Sequence, residues 1–262
     1  MMWLNGQWRD TARIPADDRG FTLGDGLFET FHWREGRVLR QSLHEARMRA
    51  SAQSLGLPDP LAGVDLSRLG QEMSEQLGVD DLSLRYSVSA GGGPRGLERP
   101  GRVELTRLLT GAERKAPPEA LDLVLSDIRR SGSSLTCRHK TLNYIDNIAA
   151  RRQARAQGAD MALLLDTRGY LSGADSANLF WHVDGSWHTP AIDCGVLAGT
   201  VRAALIAAGD VQIGEYAPGE LLQADAIVVT NAVMGIVPAR QFMGQALQLE
   251  PGLVAALTAR LD

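Results

Sequence analysis

The chain has 262 residues, a length that suits one large domain or two smaller ones. Its net charge is -4 and its basic residues are scattered, so nothing in the sequence favours nucleic acid as a partner. No apolar run is long enough to span a bilayer, no secretory leader is recognisable, and the two cysteines, Cys137 and Cys194, fit no metal-ligand spacing. These features predict a cytoplasmic protein that binds neither membrane nor metal.

The N-terminal half reads as alternating strands and helices. Residues 3–8 predict a hairpin because their central Asn-Gly pair suits a type I′ turn. Residues 27–33 predict a strand. Ser42 and Glu45 have the spacing of a capping box, which predicts a helix running from there towards Gly56. The other elements predicted in this half are a helix over 66–77, a strand over 82–89 and a glycine-rich loop over 90–96.

A polar stretch with two consecutive prolines, residues 111–119, is predicted to link an N-terminal domain (1–110) to a C-terminal domain (120–262) that carries Lys140. The elements predicted in the C-terminal half are strands over 120–126, 161–166, 177–183, 186–189 and 226–230, and helices over 144–158 and 199–209. Because strands and helices alternate in both halves, we predict an α/β (α+β) protein with two domains.

Three features could carry chemistry, and each has an ordinary structural reading. Lys140 stands just before a predicted helix, where an exposed surface lysine is common. Arg47 shares a helix face with His44 and could bind a phosphate or simply be solvated. Residues 199–201 open a helix whose backbone N–H groups could cradle an anion or only form a cap. A zinc helix is excluded, because Met48 stands four residues after His44.

In several separate segments the chain resembles the fold-type IV pyridoxal-phosphate enzymes. That group includes branched-chain and D-amino-acid aminotransferases and 4-amino-4-deoxychorismate lyase. The segments that carry the resemblance are GDGLFET at 24–30, LHEAR at 43–47, Lys140 with the following Leu142 and Asn143, SANLF at 176–180 and LAGTV at 197–201. Two further segments, SAGGGPRG at 89–96 and TNAVMGIVP at 230–238, resemble the lyase most.

The resemblance implies a two-domain fold of the D-amino-acid aminotransferase type, with pyridoxal 5'-phosphate in a cleft. Lys140 would be the Schiff-base lysine and the catalytic acid–base. The residues implied to contact the cofactor are Arg47, Asn178, Gly199, Thr200 and Val201. Those implied to contact an amine or carboxylate substrate are Phe28, Arg95 and Asn231. The resemblance also implies a homodimer.

One departure from the family pattern concerns the cofactor ring. Gly173 stands where the family has a glutamate that pairs with the pyridine nitrogen, and Asp175 is the nearby carboxylate that could replace it. The leading hypothesis is a lyase that converts 4-amino-4-deoxychorismate to 4-aminobenzoate and pyruvate on the way to folate. The alternatives are an aminotransferase for branched-chain or D-amino acids, and a cofactor-binding or regulatory protein without turnover.

Overall fold

The chain divides between Lys115 and Ala116 into two units, and the computed structural model describes residues 1–247 and 250–261. The first unit is Met1–Lys115 with the short segment His139–Asn143. The second unit is Ala116–Arg138 with Tyr144–Asp262. Lys140 therefore lies in the first unit, whereas the sequence analysis placed it in the C-terminal domain.

The first unit is built on a six-stranded antiparallel sheet in the order β2-β1-β6-β5-β3-β4. Its strands are β1 (Met2–Leu4), β2 (Gln7–Arg9), β3 (Gly26–Arg34), β4 (Arg37–Val38), β5 (Asp81–Ser89) and β6 (Thr106–Glu113). Its helices are α1 (Arg19–Leu23), α2 (Gln41–Ser54) and α3 (Leu66–Leu77). Alternate residues of β3 and β5, including Phe31, Trp33, Leu82 and Leu84, form a core with Met48 and Met73.

The boundaries of α3 follow directly from its flanking residues. Asp65 caps the helix by accepting a hydrogen bond from Arg68 N at 3.0 Å, and Gly78 ends it with φ at +65°. The predicted bounds 66–77 are confirmed. The β1–β2 hairpin is confirmed too, with Asn5 and Gly6 both at positive φ.

The capping box predicted at the start of α2 is wrong. The helix begins at Gln41, so Ser42 lies inside its first turn, and Arg40 precedes it with φ at +55° and no side-chain cap. Glu45 accepts a hydrogen bond from Gln41 Nε2 at 2.7 Å. The residue spacing was right for a capping box, but the chain enters the helix two residues earlier, through Arg40 in the left-handed conformation.

The predicted linker 111–119 is wrong in its first three residues. Residues 111–113 are the end of β6, where they pair with Leu84, Ser83 and Leu82 of β5. Those cross-strand hydrogen bonds extend the sheet through a stretch whose polar composition indicated a loop. The segment His139–Asn143 pairs with β3 through a bridge between Leu27 and Thr141, which is why it belongs to the first unit.

The second unit has a nine-stranded mixed sheet in the order β12-β11-β10-β13-β14-β7-β8-β9, with β15 paired to β14. Its strands are β7 (Leu121–Arg130), β8 (Met161–Asp166), β9 (Leu171–Ala174), β10 (Asn178–Val183), β11 (Ser186–Pro190), β12 (Val211–Gly214), β13 (Ala226–Asn231), β14 (Gly235–Phe242) and β15 (Gln245–Ala246). Its helices are α4 (Leu135–Arg138), α5 (Ile145–Ala156), α6 (Thr200–Ala207) and α7 (Pro251–Thr258). The mixed α and β class is confirmed in both units.

Strand β7 is longer than predicted and ends at Arg130 rather than near residue 126. Its pairing with β8 shifts register between Leu125 and Arg129, so a bulge interrupts the two-residue alternation. Beyond the bulge, Arg129 pairs with Leu165 and Arg130 with Asp166. The interruption hid this end of the strand from a reading based on periodicity, and it places Arg130 beside β8.

Among the described residues, none of the helices has both the length and the apolar character needed to cross a bilayer.

Candidate active site

Lys140 lies on a short extended segment fixed to strand β3 by main-chain hydrogen bonds. Phe28 N donates to Lys140 O at 2.9 Å, and Leu142 N donates to Gly26 O at 3.0 Å. The backbone is therefore held at the lysine carbonyl and two residues beyond it. A rigid backbone limits the positions that the side-chain amine can take, which suits a reacting group.

The amine of Lys140 lies against the ring of Phe28. Lys140 Nζ is 4.3 Å from the ring centroid, and the Arg85 guanidinium carbon is 3.5 Å from the same centroid. Both cations are attracted by the electron-rich face of the ring. Phe28 was expected to contact substrate, and the structure places it beside the predicted catalytic amine.

Arg47 of helix α2 is held by Glu29 of strand β3. Arg47 Nε donates to Glu29 Oε1 at 2.7 Å, and Arg47 Nη2 donates to Oε2 at 2.6 Å. His44 Nδ1 lies 2.8 Å from Glu29 Oε2. Because an ionised carboxylate only accepts hydrogen bonds, the proton on His44 is assigned to Nδ1. We call Glu29, His44 and Arg47 the Glu29 cluster.

The charge of Arg47 is matched by that of Glu29. Glu29 is 1% exposed. Burial raises its pKa, but the charge of Arg47 and the hydrogen bonds from His44 and Arg47 outweigh burial and lower the pKa to about 2. Desolvation lowers the pKa of His44, which is therefore neutral at neutral pH. The Glu29 cluster thus carries one positive and one negative charge, and its charges cancel.

Arg95, predicted to contact substrate, is exposed on the glycine-rich loop. The chain just after it is anchored by Arg19, which is only 3% exposed. Arg19 donates to the carbonyl oxygens of Gly96, Leu97 and Glu98 at 3.2, 2.8 and 3.0 Å. An otherwise irregular loop is therefore fixed close to Arg95. The sequence analysis did not consider Arg19.

In the second unit, Asn178 shapes the loop that leads into helix α6. Asn178 Nδ2 donates to Leu197 O at 2.9 Å. A Cβ at position 199 would collide with Asn178 Oδ1, so only glycine fits there. Gly199 is the N-cap of α6 and provides no capping side chain. The predicted phosphate-binding residues Thr200 and Val201 form the first turn of α6, where the backbone N–H groups and the helix dipole favour an anion.

A buried cation lies in the same first turn of α6. Arg202 is 5% exposed and donates from Nη2 to Pro190 O at 2.9 Å. Its Nε has no partner among residues 1–247 and 250–261. Desolvation lowers the pKa of Arg202 to about 10, which leaves it charged at neutral pH. The sequence analysis passed over this arginine, although a charged residue in an apolar helix is a signal that a partner is needed.

Asp175 is engaged with helix α5. Its carboxylate accepts hydrogen bonds from Arg151 Nε at 2.8 Å and from Ala162 N at 2.9 Å, and it is 1% exposed. A buried carboxylate held in this way by the half-buried Arg151 is part of the structure around it. The Asp175 carboxylate is therefore not free to replace the family glutamate, because Arg151 already binds it.

Asn231, predicted to contact substrate, organises the turn after strand β13. Its Oδ1 accepts hydrogen bonds from Val233 N at 3.0 Å and Met234 N at 2.8 Å. Its Nδ2 donates to Ser176 O at 3.2 Å. Such a side chain fixes its own turn. The structure thus gives Asn231 a local role in the backbone.

The sequence analysis did not identify two residues that lie beside predicted site residues, Glu29 beside Arg47 and Arg130 beside Gly173. Glu29 was quoted only as a motif letter, yet a charge in the apolar strand β3 requires a buried counter-charge. Arg130 was not considered at all. Its Nη1 is 3.6 Å from where a Cβ of Gly173 would lie, a proximity that no local sequence pattern indicates.

Comparison with known proteins places these sites in a family. The model of the family described as amino-transferase class IV matches residues 26–242. The chain belongs to the class IV aminotransferases. This family comprises pyridoxal-phosphate-dependent enzymes of fold type IV. The predicted family, fold and enzyme class are therefore confirmed.

Relatives of this class IV chain include enzymes of two activities. An aminodeoxychorismate lyase of Vibrio harveyi is 26% identical, covering 91% of this chain and 90% of its own length. A D-alanine aminotransferase of Listeria monocytogenes is 27% identical, covering 97% and 90%. The crystal structure of 4-amino-4-deoxychorismate lyase from Pseudomonas aeruginosa has a TM-score of 0.84 and 28% identity, covering 100% and 98%. Identity alone does not separate the two activities.

The class IV chain has groups that fit pyridoxal phosphate. Lys140 is one of only two lysines in the chain, the other being Lys115, and it is held by strand β3. Gly199 leaves no room for a side chain at the start of α6, and Arg202 adds a buried positive charge in that turn. An amine suits the aldehyde, and the helix start suits the phosphate. The departure from the family pattern that concerns the cofactor ring lies at Gly173.

Proposed function

We propose that this chain is a pyridoxal-phosphate-dependent lyase that converts 4-amino-4-deoxychorismate to 4-aminobenzoate and pyruvate. The observation that carries the proposal is the absence of a carboxylate at Gly173, where Arg130 is the neighbouring charged group. The likeness to the lyases of Vibrio harveyi and Pseudomonas aeruginosa supports it.

When bound, pyridoxal phosphate supplies an aldehyde that captures the substrate amine and a ring that withdraws electrons. The amine of Lys140 takes the proton from the substrate carbon that carries the amino group. The bond between the neighbouring ring carbon and the enolpyruvyl oxygen breaks, and its electron pair leaves with the oxygen. The leaving group becomes pyruvate by gaining a proton, so the reaction needs neither an oxidant nor a reductant.

The chemistry of the product explains why a glycine can be tolerated at position 173. Loss of pyruvate makes the substrate ring aromatic, and that stabilisation develops as the C–O bond breaks. Transamination has no such gain and depends more on electron withdrawal by the cofactor. A site without the glutamate is therefore better matched to the lyase reaction.

Two residues of the first unit are proposed to position this substrate. The ring of Phe28, which lies against Lys140, would orient the amine that moves the proton. Arg95 would bind a substrate carboxylate, since the loop beside it is anchored by Arg19. For Asn231 we propose only that it shapes its turn, because its amide is already hydrogen-bonded there.

A second candidate is an aminotransferase. The likeness to the D-alanine aminotransferase of Listeria monocytogenes, at 27% identity against 26% for the lyase of Vibrio harveyi, supports this alternative. Lys140 would then move the proton from the amino acid to the cofactor, and a keto acid would leave.

The deciding experiment compares two assays on the purified full chain supplied with pyridoxal phosphate. One assay measures pyruvate and 4-aminobenzoate released from 4-amino-4-deoxychorismate. The other measures keto acid from D-alanine and from branched-chain donors. We expect equimolar pyruvate and 4-aminobenzoate from the first and much slower turnover in the second. Fast keto-acid formation without 4-aminobenzoate would establish the aminotransferase instead, and cofactor binding without turnover in either would indicate a binding protein.

We also propose a homodimer, as the family resemblance implies. Phe21 is 80% exposed and Leu97 is 85% exposed, and large exposed apolar side chains are typical of surfaces covered by a partner. Sedimentation at micromolar concentration tests this, since an active monomer would contradict it. A cytoplasmic location and a role in folate synthesis stay predictions.

A further inference from the structure

Position 173 faces the side chain of Arg130. Gly173 lies in β9, opposite Leu164 of β8, and its φ is outside the left-handed region, so its backbone would accept a side chain. A Cβ there would lie 3.6 Å from Arg130 Nη1 and 3.3 Å from Ala177 O. A side chain at 173 would thus begin within contact distance of the guanidinium.

The side chain of Arg130 is held in this place by its neighbours. Arg130 Nη2 donates to Ala174 O at 3.0 Å. Gly195, with φ at +76°, approaches so closely that a Cβ there would lie 2.8 Å from Arg130 Cβ. The position of Arg130 therefore depends on the absence of a side chain at Gly195.

The charge of Arg130 is not matched by a contacting carboxylate. Within residues 1–247 and 250–261, no carboxylate lies within 4 Å of its guanidinium nitrogens. Asp175 is bound by Arg151, and Asp166 is bound by Arg168. Arg130 thus retains hydrogen-bond donors and a positive charge beside Gly173.

We propose that Arg130 takes the place of the family glutamate and donates a hydrogen bond to the unprotonated ring nitrogen of pyridoxal phosphate. A guanidinium has only donors and stays charged, so its partner must offer a lone pair. A carboxylate does the opposite, because it accepts a hydrogen bond from a protonated nitrogen. This inference rests on the proposed cofactor. A ring nitrogen that stays unprotonated makes the cofactor ring a weaker electron sink than the ring in relatives with the glutamate.

The test reads the protonation state of the ring nitrogen directly. The full chain is loaded with pyridoxal phosphate labelled with ¹⁵N in the ring, and the ¹⁵N chemical shift is followed from pH 8 to pH 5. We expect the nitrogen of the wild type to stay unprotonated throughout. In Arg130→Gln we expect it to become protonated within this range, because the repelling charge is gone. A protonated nitrogen in the wild type at pH 7 would overturn the proposal, as would identical titration curves.

Two further variants guard against a folding defect in Arg130→Gln. Arg129→Gln is the matched control, because Arg129 is exposed and donates to Ser126 O. It should titrate as the wild type does. Gly173→Glu should give a protonated nitrogen at pH 7, whereas Gly173→Gln, of the same size without charge, should not. A Gly173→Glu enzyme whose nitrogen stays unprotonated would contradict the proposal.

Binding of a cofactor analogue gives an independent readout. In this analogue, CH replaces the ring nitrogen, so it cannot accept a hydrogen bond. The wild type should bind it about tenfold more weakly than pyridoxal phosphate, and Arg130→Leu, which has no donor, should bind the two equally. Equal binding by the wild type would overturn the role of Arg130. If the chain binds no pyridoxal phosphate at Lys140, the proposed function itself fails; if it binds with a protonated nitrogen, only this inference fails.

Discussion

Two arginines of this chain, Arg47 and Arg130, differ in how their charges are balanced. Arg47 is bound through two nitrogens by the buried carboxylate of Glu29. Arg130 donates to the carbonyl oxygen of Ala174 and contacts no carboxylate among the described residues. An arginine with a bound carboxylate stabilises its own unit, whereas one without it retains charge and donors for a ligand. The balance of local charge is therefore a better guide to ligand binding than burial alone.

The comparison changes what is expected of Arg47. The resemblance implied that Arg47 contacts the cofactor, so the first expected effect of its replacement was weaker cofactor binding. In the structure, its removal would leave Glu29 buried without its main counter-charge. A phosphate contact by Arg47 stays a proposal, but the first effect of losing Arg47 is now expected on stability.

The largest expected effect comes from Lys140, whose amine both reactions need. Lys140→Ala should abolish all turnover and all covalent trapping of cofactor by borohydride. Mass spectrometry of the trapped peptide is the measurement. The chain offers a sharp control, because Lys115 is the only other lysine. Lys115→Ala should keep full labelling, and label found on Lys115 in the wild type would contradict the assignment.

The second prediction breaks the Glu29 cluster. Arg47→Ala should lower the free energy of unfolding by about 3–5 kcal/mol, because a buried charge loses its partner. Denaturant unfolding of the cofactor-free protein measures it. Arg49→Ala on the same helix is the control, since Arg49 is 47% exposed and its replacement should cost at most about 1 kcal/mol. Adding Glu29→Gln to Arg47→Ala should restore part of the loss; a double variant less stable than Arg47→Ala would refute the explanation.

The third prediction concerns pH. The pKa of Glu29 is about 2 in the folded chain and 4.5 for an ordinary glutamate, so its contribution is present above pH 4.5 and is lost as pH falls towards 2. The lowered pKa of His44 acts in the same direction, since protonating this buried ring disfavours the fold below its ordinary value of 6.5. We expect a loss of about 3 kcal/mol from Glu29 over this window.

Unfolding curves at several pH values test the third prediction. Wild type should lose stability steeply between about pH 5 and pH 2, and Glu29→Gln should show a flatter profile from a lower starting value. Parallel profiles for the two proteins would mean that other carboxylates cause the acid sensitivity.

Sequence reasoning succeeded where local signals determine structure. Helix α3 has a capping Asp65 and a terminating Gly78, so its bounds were predicted correctly. It failed where contacts join distant residues. Glu29 and Arg47 are 18 positions apart, and no spacing rule connects a strand residue to a later helix. Strand β7 was cut short because its bulge breaks the alternation, which removed Arg130 from consideration.

In the candidate site, too, local features were predicted from the sequence and contacts between distant residues were not. Lys140 was predicted to be the cofactor lysine from its neighbours in sequence. Its segment pairs with β3 through main-chain hydrogen bonds to Phe28 and Gly26, which composition cannot indicate. Asp175 looked available because it stands two residues from Gly173 in sequence. Its carboxylate is instead bound by Arg151 of helix α5. Side-chain charge is readable from sequence, whereas the partner that neutralises it is set by tertiary packing.

The last prediction concerns a variant in which Arg130 gains a neighbouring carboxylate, as Arg47 has in Glu29. In Gly173→Glu, the new carboxylate would project towards the Arg130 guanidinium and balance its charge. The side chain fits if Ala177 O, 3.3 Å from the new Cβ, moves by a few tenths of an ångström. A carboxylate here can also accept a hydrogen bond from a protonated ring nitrogen, which strengthens electron withdrawal. Aminotransferase activity should therefore rise, by about tenfold or about 1.4 kcal/mol of barrier.

The measurement is the rate of the amino-donor half-reaction with D-alanine and with branched-chain amino acids, in proteins checked for cofactor saturation. Gly173→Gln is the matched control, because it has the same size and lacks the charge. The lyase rate should change less than the aminotransferase rate, since the aromatic stabilisation of 4-aminobenzoate does not depend on the glutamate side chain introduced at position 173. Equal gains in Gly173→Gln and Gly173→Glu would assign the effect to shape. A wild type that already transaminates fast would mean that Arg130 does not limit the electron withdrawal on which transamination depends.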